Sequence, residues 1–251
     1  MKESTQRVTR LNHQAVPDSG RCSTCGGSGW VLDPDDLACS CPVCGGTITQ
    51  KTGVPDVFQN RSLEDFNFKI YGTNLRKMER VMRSFENDFV NKWKINGKGL
   101  YLWSKTPGSG KTLLSCGLLN DVVSRYHLQG RFVSCVGYLS ILQQAFTQQS
   151  NEDRSQVYRT CDLLVLDDLG VQKDSEWTQQ EIFRLVNDRL NDGLITLITS
   201  NYPPEGLNVG SRSIDRIMKS CIVLQLPEVS IRSKQAKEEQ EKFLAGILSD
   251  C

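Results

Sequence analysis

The nine residues SKTPGSGKT (104–112) constrain this chain more than any other stretch. They follow a short apolar run, LYLW (100–103), and lead into LLSCGLLNDVV, where Leu114, Leu118 and Val122 recur at four-residue spacing on one helix face. Strand, glycine-rich turn and helix in that order make a phosphate-binding loop, because the backbone N–H groups of the turn and of the helix N-terminus converge on one anion. Pro107, Gly108, Ser109, Gly110, Lys111, Thr112 and Leu113 supply that cradle. Glycine at 108 and 110 lets the backbone approach closely, Lys111 brings a point charge to the β and γ phosphates of ATP or ADP, and the Thr112 hydroxyl is suited to ligating Mg²⁺. The pattern G-x-x-x-x-G-K-[ST] asks for glycine at position 105, where Lys105 stands. That position lies at the strand exit, ahead of the donors that wrap the phosphates, so the exchange removes none of them.

Such a loop hangs from the edge of a parallel sheet, and the rest of the chain offers one. LYLW, RFVSCV (131–136), DLLVLDD (162–168), LITLITS (194–200) and CIVLQL (221–226) are short apolar runs separated by helix-length stretches. They predict βαβ units and an α/β domain whose parallel sheet is covered on both faces. Between Gly72 and Trp93, the residues Leu75, Met78, Met82, Phe85 and Phe89 repeat with helical period, and Arg76, Lys77, Arg80 and Arg83 between them read as a solvated helix face. A chain of 251 residues, 38% of them hydrophobic, suffices for one such domain and a small extra module.

The DLLVLDD strand ends in Asp167 and Asp168. One carboxylate beside a phosphate loop can hold hydrated Mg²⁺, and a second can orient and deprotonate an attacking water. Asp167 is assigned to the metal and Asp168 to the water. Asn201, at the end of LITLITS, is placed to hold that water or to sense the γ phosphate. An acidic or amide residue at a strand end is often only a turn residue; its pairing with the loop gives it meaning.

Five of the ten cysteines crowd into positions 22 to 44. CSTCGG (22–27) and CPVCGG (41–46) are two C-x-x-C turns fifteen residues apart, and together they predict a tetrahedral Zn²⁺ site of Cys22, Cys25, Cys41 and Cys44. A Cys39/Cys41 pair is the alternative second half. Four thiolates leave no open position for water, so the zinc is structural. It would supply folding free energy to a segment with little apolar content. Cys116, Cys135, Cys161 and Cys221 sit beside apolar residues and read as buried thiols in a reducing compartment. Residues 1–20 read as a flexible arm and 47–60 as a linker, which divides the chain into a module at 1–55 and an ATPase domain at 56–251.

Net charge is +1, so any contact with nucleic acid must come from a local patch. No run of 18 apolar residues occurs and the first twenty residues lack a signal-peptide core, which predicts a soluble cytoplasmic protein with no membrane partner. Two histidines, His13 and His127, leave little for a Ser-His or His-metal mechanism.

PGSGKT, DLLVLDDLG, ITSN, SRSIDRIM and VSIRSK, in that order, resemble the AAA+ ATPases that load the bacterial replicative helicase, the DnaC/DnaI type, with IstB-type transposition ATPases as near relatives. Phage-encoded loaders look closest. The resemblance covers roughly residues 61–235 and implies an AAA+ P-loop three-layer fold with a central parallel sheet, preceded by the small zinc-stabilised module. It also implies that NRSLEDFNF (60–68) lies against the adenine and that Asn201 reads the γ phosphate. Arg216 would reach into a neighbouring subunit's site, with Arg212 as the competing candidate, and Arg232 would act as the second sensor within the same subunit. The expected partners are the replicative DNA helicase, gripped by the N-terminal module, single-stranded DNA facing residues 138–161, and further copies of the chain meeting at the ATP site. A transposition helper and a non-hydrolysing ATP-binding zinc adaptor remain the alternatives.

Overall fold

A computed structural model of the chain describes residues 24, 30–32, 38–40, 52–148 and 154–249. Its contacts divide the chain into two compact units, Met1–Lys51 and Thr52–Cys251. In the first, strands β1 (Trp30–Leu32) and β2 (Ala38–Ser40) form an antiparallel pair with Val31 opposite Cys39. Cys22, Cys25, Cys41 and Cys44 lie outside the described residues.

The second unit is built on five parallel strands: β3 (Gly99–Trp103), β4 (Gly130–Ser134), β5 (Leu163–Leu169), β6 (Ile195–Ser200) and β7 (Cys221–Gln225). Their order is β4-β5-β6-β3-β7. Helix α1 (Arg76–Asn87) precedes the sheet, and α2 (Lys111–Tyr126) joins β3 to β4. Helices α3 (Cys135–Gln148) and α4 (Gln156–Thr160) lead to β5. Then α5 (Glu176–Asn191) leads to β6, α6 (Ser211–Ser220) to β7, and α7 (Ile231–Ser249) follows.

The strand side chains sort by parity into two cores, as the two-residue period of a strand requires. Leu100, Leu102, Leu163, Val165, Ile195 and Leu197 pack with α1 and α2. Tyr101, Leu164, Leu166 and Ile198 pack with residues of α3, α5 and α6. The result is the α/β fold with a helix-covered parallel sheet that the five apolar runs predict. Burial pushes the Cys116 and Cys135 thiols up to about 12 and Cys221 to about 11, so these stay neutral packing groups. Among the described residues, no helix is long and apolar enough to cross a membrane.

Three boundaries differ from expectation. The RFVSCV strand stops at Ser134, whose hydroxyl accepts the Gly137 N–H at 3.1 Å and so turns Cys135 and Val136 into the start of α3. The helix expected through Trp93 ends at Asn87 and continues as a π-helical turn, Phe89–Lys94. The wider turn brings the Phe89 and Trp93 rings edge-on to Phe85, with centroids 5.2 and 5.0 Å away. The expected linker is, from Thr52 on, part of the second unit: the Phe132 N–H donates to the Thr52 carbonyl at 2.7 Å, Val54 is buried, and the Asn120 amide on α2 donates to the carbonyls of Phe58 and Arg61.

Candidate active site

Strand β3 delivers the chain to the buried Ser104, whose N–H donates to the Ser200 carbonyl at the end of β6. Lys105 follows, exposed; among the described non-glycine residues positive φ occurs at His127 and Asp168 alone, so position 105 needs no glycine conformation. Gly108 and Gly110 do, with φ of 74° and 91°. They are also sterically committed. A Cβ on Gly108 would lie 2.9 Å from Ser230 Oγ, and one on Gly110 would lie 2.9 Å from Ile231 Cδ1 and 3.0 Å from the Phe66 ring. The loop is therefore clamped between the N-terminal segment and the start of α7, where Ile231 and Arg232 both donate backbone N–H groups to the Gly108 carbonyl. Tyr71 donates its hydroxyl to the Ser109 carbonyl at 2.5 Å, and burial holds that phenol well above its ordinary pKa.

Lys111 opens α2 and is buried. Its ammonium is within 3.3 Å of the Ser104 carbonyl, 3.4 Å of the Thr106 carbonyl and 3.2 Å of Ser109 Oγ. Burial pushes its pKa below the ordinary value, and Asp168 and then Asp167 pull it back up. This is a cation held inside the concave face of the loop by groups that a phosphate oxygen can replace.

Thr112 donates its hydroxyl to Asp167 at 3.0 and 3.2 Å from the two carboxylate oxygens. Asp167 is 6% exposed, and burial raises its pKa from 3.8 to about 6 even though Thr199 and Thr112 hydrogen-bond to it. A buried carboxylate and a hydroxyl at this separation, with Lys111 acting on the acid through space but no ion pair to it among the described residues, form an oxygen donor set suited to Mg²⁺. The residues present fit the metal and the nucleotide that the loop implies.

Asp168 sits where β5 shifts register against β6, between the Leu166–Ile198 and Leu169–Ser200 pairs, and its φ is 55°. The bulge turns two successive carboxylates in different directions: Asp167 back to α2, Asp168 into the cavity. Thr199 locks this arrangement. Its fully buried hydroxyl donates to Asp167 Oδ1 at 2.6 Å and accepts the Asp168 N–H at 2.9 Å.

The cavity itself has a volume of about 200 Å³. Pro107, Gly108, Ser109, Gly110, Lys111, Thr112 and Leu113 of the loop line it, with Asp168, Asn201 and Arg232 around the rim. Ile231 and Phe58 complete it. No residue of 60–68, the segment expected at the adenine, is part of that lining; Leu63 and Phe66 of this segment pack into the α2 core, and the aromatic ring at the cavity is Phe58. Sequence reasoning missed Phe58 because it lies in a polar stretch, DVFQN, with no period. It missed Thr199 because a threonine inside a strand carries no signal of its own.

Arg212 and Arg216 lie on α6, one helical turn apart, the first exposed and the second half-buried, and neither lines the cavity of its own chain. In the 138–161 segment, Tyr138, Leu139 and Leu142 are buried in the core. Arg159 lies 4.0 Å from the Glu181 carboxylate, which leaves Arg154 as the exposed cation among the described residues there.

Residues 48–239 match the family described as IstB-like ATP binding protein. Among curated proteins, the chain is 29% identical over 112 residues to the replicative helicase loader DnaI of Bacillus subtilis (strain 168), which covers 44% of this chain and 35% of that protein. It is 25% identical over 175 residues to the replicative helicase loader DnaC of Buchnera aphidicola subsp. Schizaphis graminum, 66% of this chain and 67% of that one. The chain thus spans about a third of the first relative's length and two thirds of the second's. The crystal structure of the DnaC helicase loader superposes with a TM-score of 0.60 at 22% identity, over 69% of this chain and 100% of that chain, which shows a shared fold.

Proposed function

The chain belongs to the IstB-like ATP-binding protein family, and from that premise we propose that it is a Mg²⁺-dependent ATPase that loads the replicative DNA helicase onto single-stranded DNA. The observation that carries the reading is the convergence of Lys111, Thr112 and Asp167: the loop cation, the hydroxyl and the buried carboxylate meet at one end of the sheet. Bound MgATP would supply an electrophilic phosphorus and a divalent charge. Around it, Lys111 exchanges the Ser104 and Thr106 carbonyls for phosphate oxygens, and Thr112 and Asp167 provide the metal's protein ligands. Asp168, raised into the cavity by its left-handed backbone, accepts a proton from the attacking water, and Asn201 orients that water. Arg232 neutralises charge from the α7 side.

Arg216 or Arg212, neither of which lines the cavity of its own chain, fit a role in a neighbouring copy's site, and the active form is an oligomer closed through the ATP site. The module expected at 1–55, which the contacts end at Lys51, grips the helicase and is stapled by zinc on Cys22, Cys25, Cys41 and Cys44; the second unit, from Thr52 on, forms the ATPase domain. The names of the DnaI and DnaC relatives support the helicase as partner.

The test is co-purification of the metal-replete chain with the host replicative helicase, repeated for Cys22→Ser with Cys25→Ser, together with ATP turnover with and without single-stranded DNA. Helicase capture that is lost in the cysteine variant while ATP still binds is the expected result. Absence of capture in the wild type defeats the loader reading. The family description favours one other reading, a transposition helper; selective binding to a transposase in place of the helicase would establish it.

A further inference from the structure

A second cavity on the second unit, about 760 Å³, shares no lining residue with the one at the phosphate loop. It is a groove between α1, the π-helical turn and the edge strand β7, floored by Val81, Trp93 and Ile222. Arg76, Lys77, Arg80 and Lys92 line it, all exposed, and no carboxylate does.

The neighbouring cations behave differently. Arg83, on the adjoining face of α1, is ion-paired with Glu64, Glu79 and Glu86. Arg125 pairs with Glu86 at 2.7 Å and Lys94 with Asp162 at 2.6 Å. The one acid in α1's first turn, Glu79, is directed to Arg83. Arg76, Lys77, Arg80 and Lys92 have no ion pair among the described residues; Lys92 approaches Ser84 Oγ at 3.5 Å, a hydroxyl that itself donates to Asp88 at 3.2 Å. Arg76 and Lys77 also open a helix, where the dipole disfavours positive charge. Three cations on one helix face, two placed against the local preference and none neutralised, are explained by an anionic ligand outside the chain.

We propose that this groove binds the phosphodiester backbone of a nucleic acid. Arg76 and Arg80 are one helical turn apart, about 6 Å along the axis, and Lys92 faces them from the π-helical turn, an arrangement that follows a line of phosphates. Trp93 is 8% exposed and spends its indole N–H on Ser84, so no ring face is offered for base stacking. Recognition is therefore of backbone charge, independent of sequence, and single strands and duplex both bind. The proposal rests on the loader reading only in giving the nucleic acid a place to lie, and its test uses no helicase.

The experiment is fluorescence anisotropy of a labelled single-stranded oligonucleotide and of its duplex, titrated with the full chain across a salt series from about 50 to about 200 mM. Wild type is compared with Arg76→Gln/Lys77→Gln/Arg80→Gln, with Lys92→Gln and with Arg154→Gln. The triple variant should lose at least about tenfold in affinity at the lowest salt, and its log–log salt slope should flatten by about 2 on the single strand and nearly 3 on the duplex, near 0.7 and 0.9 for each lost contact. Lys92→Gln should flatten it by less than 1; a loss in Arg154→Gln with none in the triple variant would put the strand against residues 138–161 instead and overturn the proposal. A charge-keeping Arg76→Lys/Arg80→Lys variant should restore most of the binding. ATP affinity and Tm, measured on the same samples, should match wild type, which separates this result from failure of the nucleotide site. Equal affinity and slope in the wild type and the triple variant would overturn the proposal. So would a triple variant that keeps DNA but loses poly-glutamate, since the groove would then belong to an acidic protein segment.

Discussion

The phosphate loop and the α1 groove both gather positive charge, and they hold it in opposite ways. Lys111 is buried, surrounded by two carbonyls and a hydroxyl of its own loop, with Asp167 and Asp168 close enough to raise its pKa. Arg76, Lys77, Arg80 and Lys92 stand in solvent with no ion pair among the described residues and no carboxylate in the groove lining. A charge fixed in a water-poor site acts at short range, is little screened and needs no reorganisation when charge shifts on a phosphate. Exposed charges act additively and weaken with salt, which suits reversible binding of a long polyanion. The difference assigns bond-breaking to one region and attachment to the other, and it can be broken by substitution.

The largest effect belongs to the buried cation. Lys111→Ala should lower single-turnover ATP hydrolysis on the order of 10²- to 10³-fold, the scale of removing one preorganised donor, and should weaken ATP binding in equilibrium titration. A loss under tenfold would mean that Lys111 does not meet the transferred phosphate.

Next is the buried hydroxyl that couples the two carboxylate positions. Thr199→Val leaves Asp167 Oδ1 and the Asp168 N–H short of a partner, at roughly 1–3 kcal/mol. The Mg²⁺ concentration for half-maximal hydrolysis should rise about tenfold, and Thr199→Ser should restore it. An unchanged metal dependence in the valine variant would reduce Thr199 to packing.

A smaller effect concerns pH. In the nucleotide-free protein the folded Asp167 carboxyl keeps its proton up to about pH 6, whereas its ordinary value is 3.8. The folded state therefore binds the extra proton between these values, loses stability as pH rises through them and stays penalised above. Asp167→Asn removes that penalty. It should raise Tm by roughly 5 °C at pH 8, corresponding to about 2 kcal/mol, with the gain fading as pH falls from 6 toward 4. A gain independent of pH would show that the carboxylate is not the cause.

The smallest effect is at the position where the loop motif is broken. Lys105→Gly should change ATP affinity less than about twofold, because residue 105 does not need a left-handed backbone, and should lower stability by about 0.4–1 kcal/mol through the freer unfolded chain. A large gain in ATP affinity would mean that the lysine obstructs the loop.

The parts legible in the sequence are those whose physics is local or periodic. Strands buried on both faces appear as unbroken apolar runs, and the phosphate loop appears because Gly108, Gly110 and Lys111 stand at fixed spacing between a strand and a helix. Thr112 and Asp167, both assigned to Mg²⁺ from their place in the motifs, lie 3.0 Å apart. What was not legible depends on contacts between distant segments. Phe58 lines the cavity, and its carbonyl is held by Asn120 on α2, 62 residues away in the chain. The roles of Tyr71 and Thr199 come from bonds across 38 and 32 residues. The charged face of α1 reads in the sequence as an ordinary solvated surface, because the ion pairs that hold Arg83 and pass over Arg76, Lys77 and Arg80 depend on Glu64 from outside the helix and on the folded geometry.

The account rests on Asp168 activating water at a site where Lys111, Thr112 and Asp167 hold the nucleotide. The most direct measurement is single-turnover ATP hydrolysis by Asp168→Asn, with ATP affinity determined on the same preparation. Affinity within about twofold of wild type and hydrolysis slower on the order of 10²-fold or more is the predicted result. Hydrolysis at the wild-type rate would contradict it.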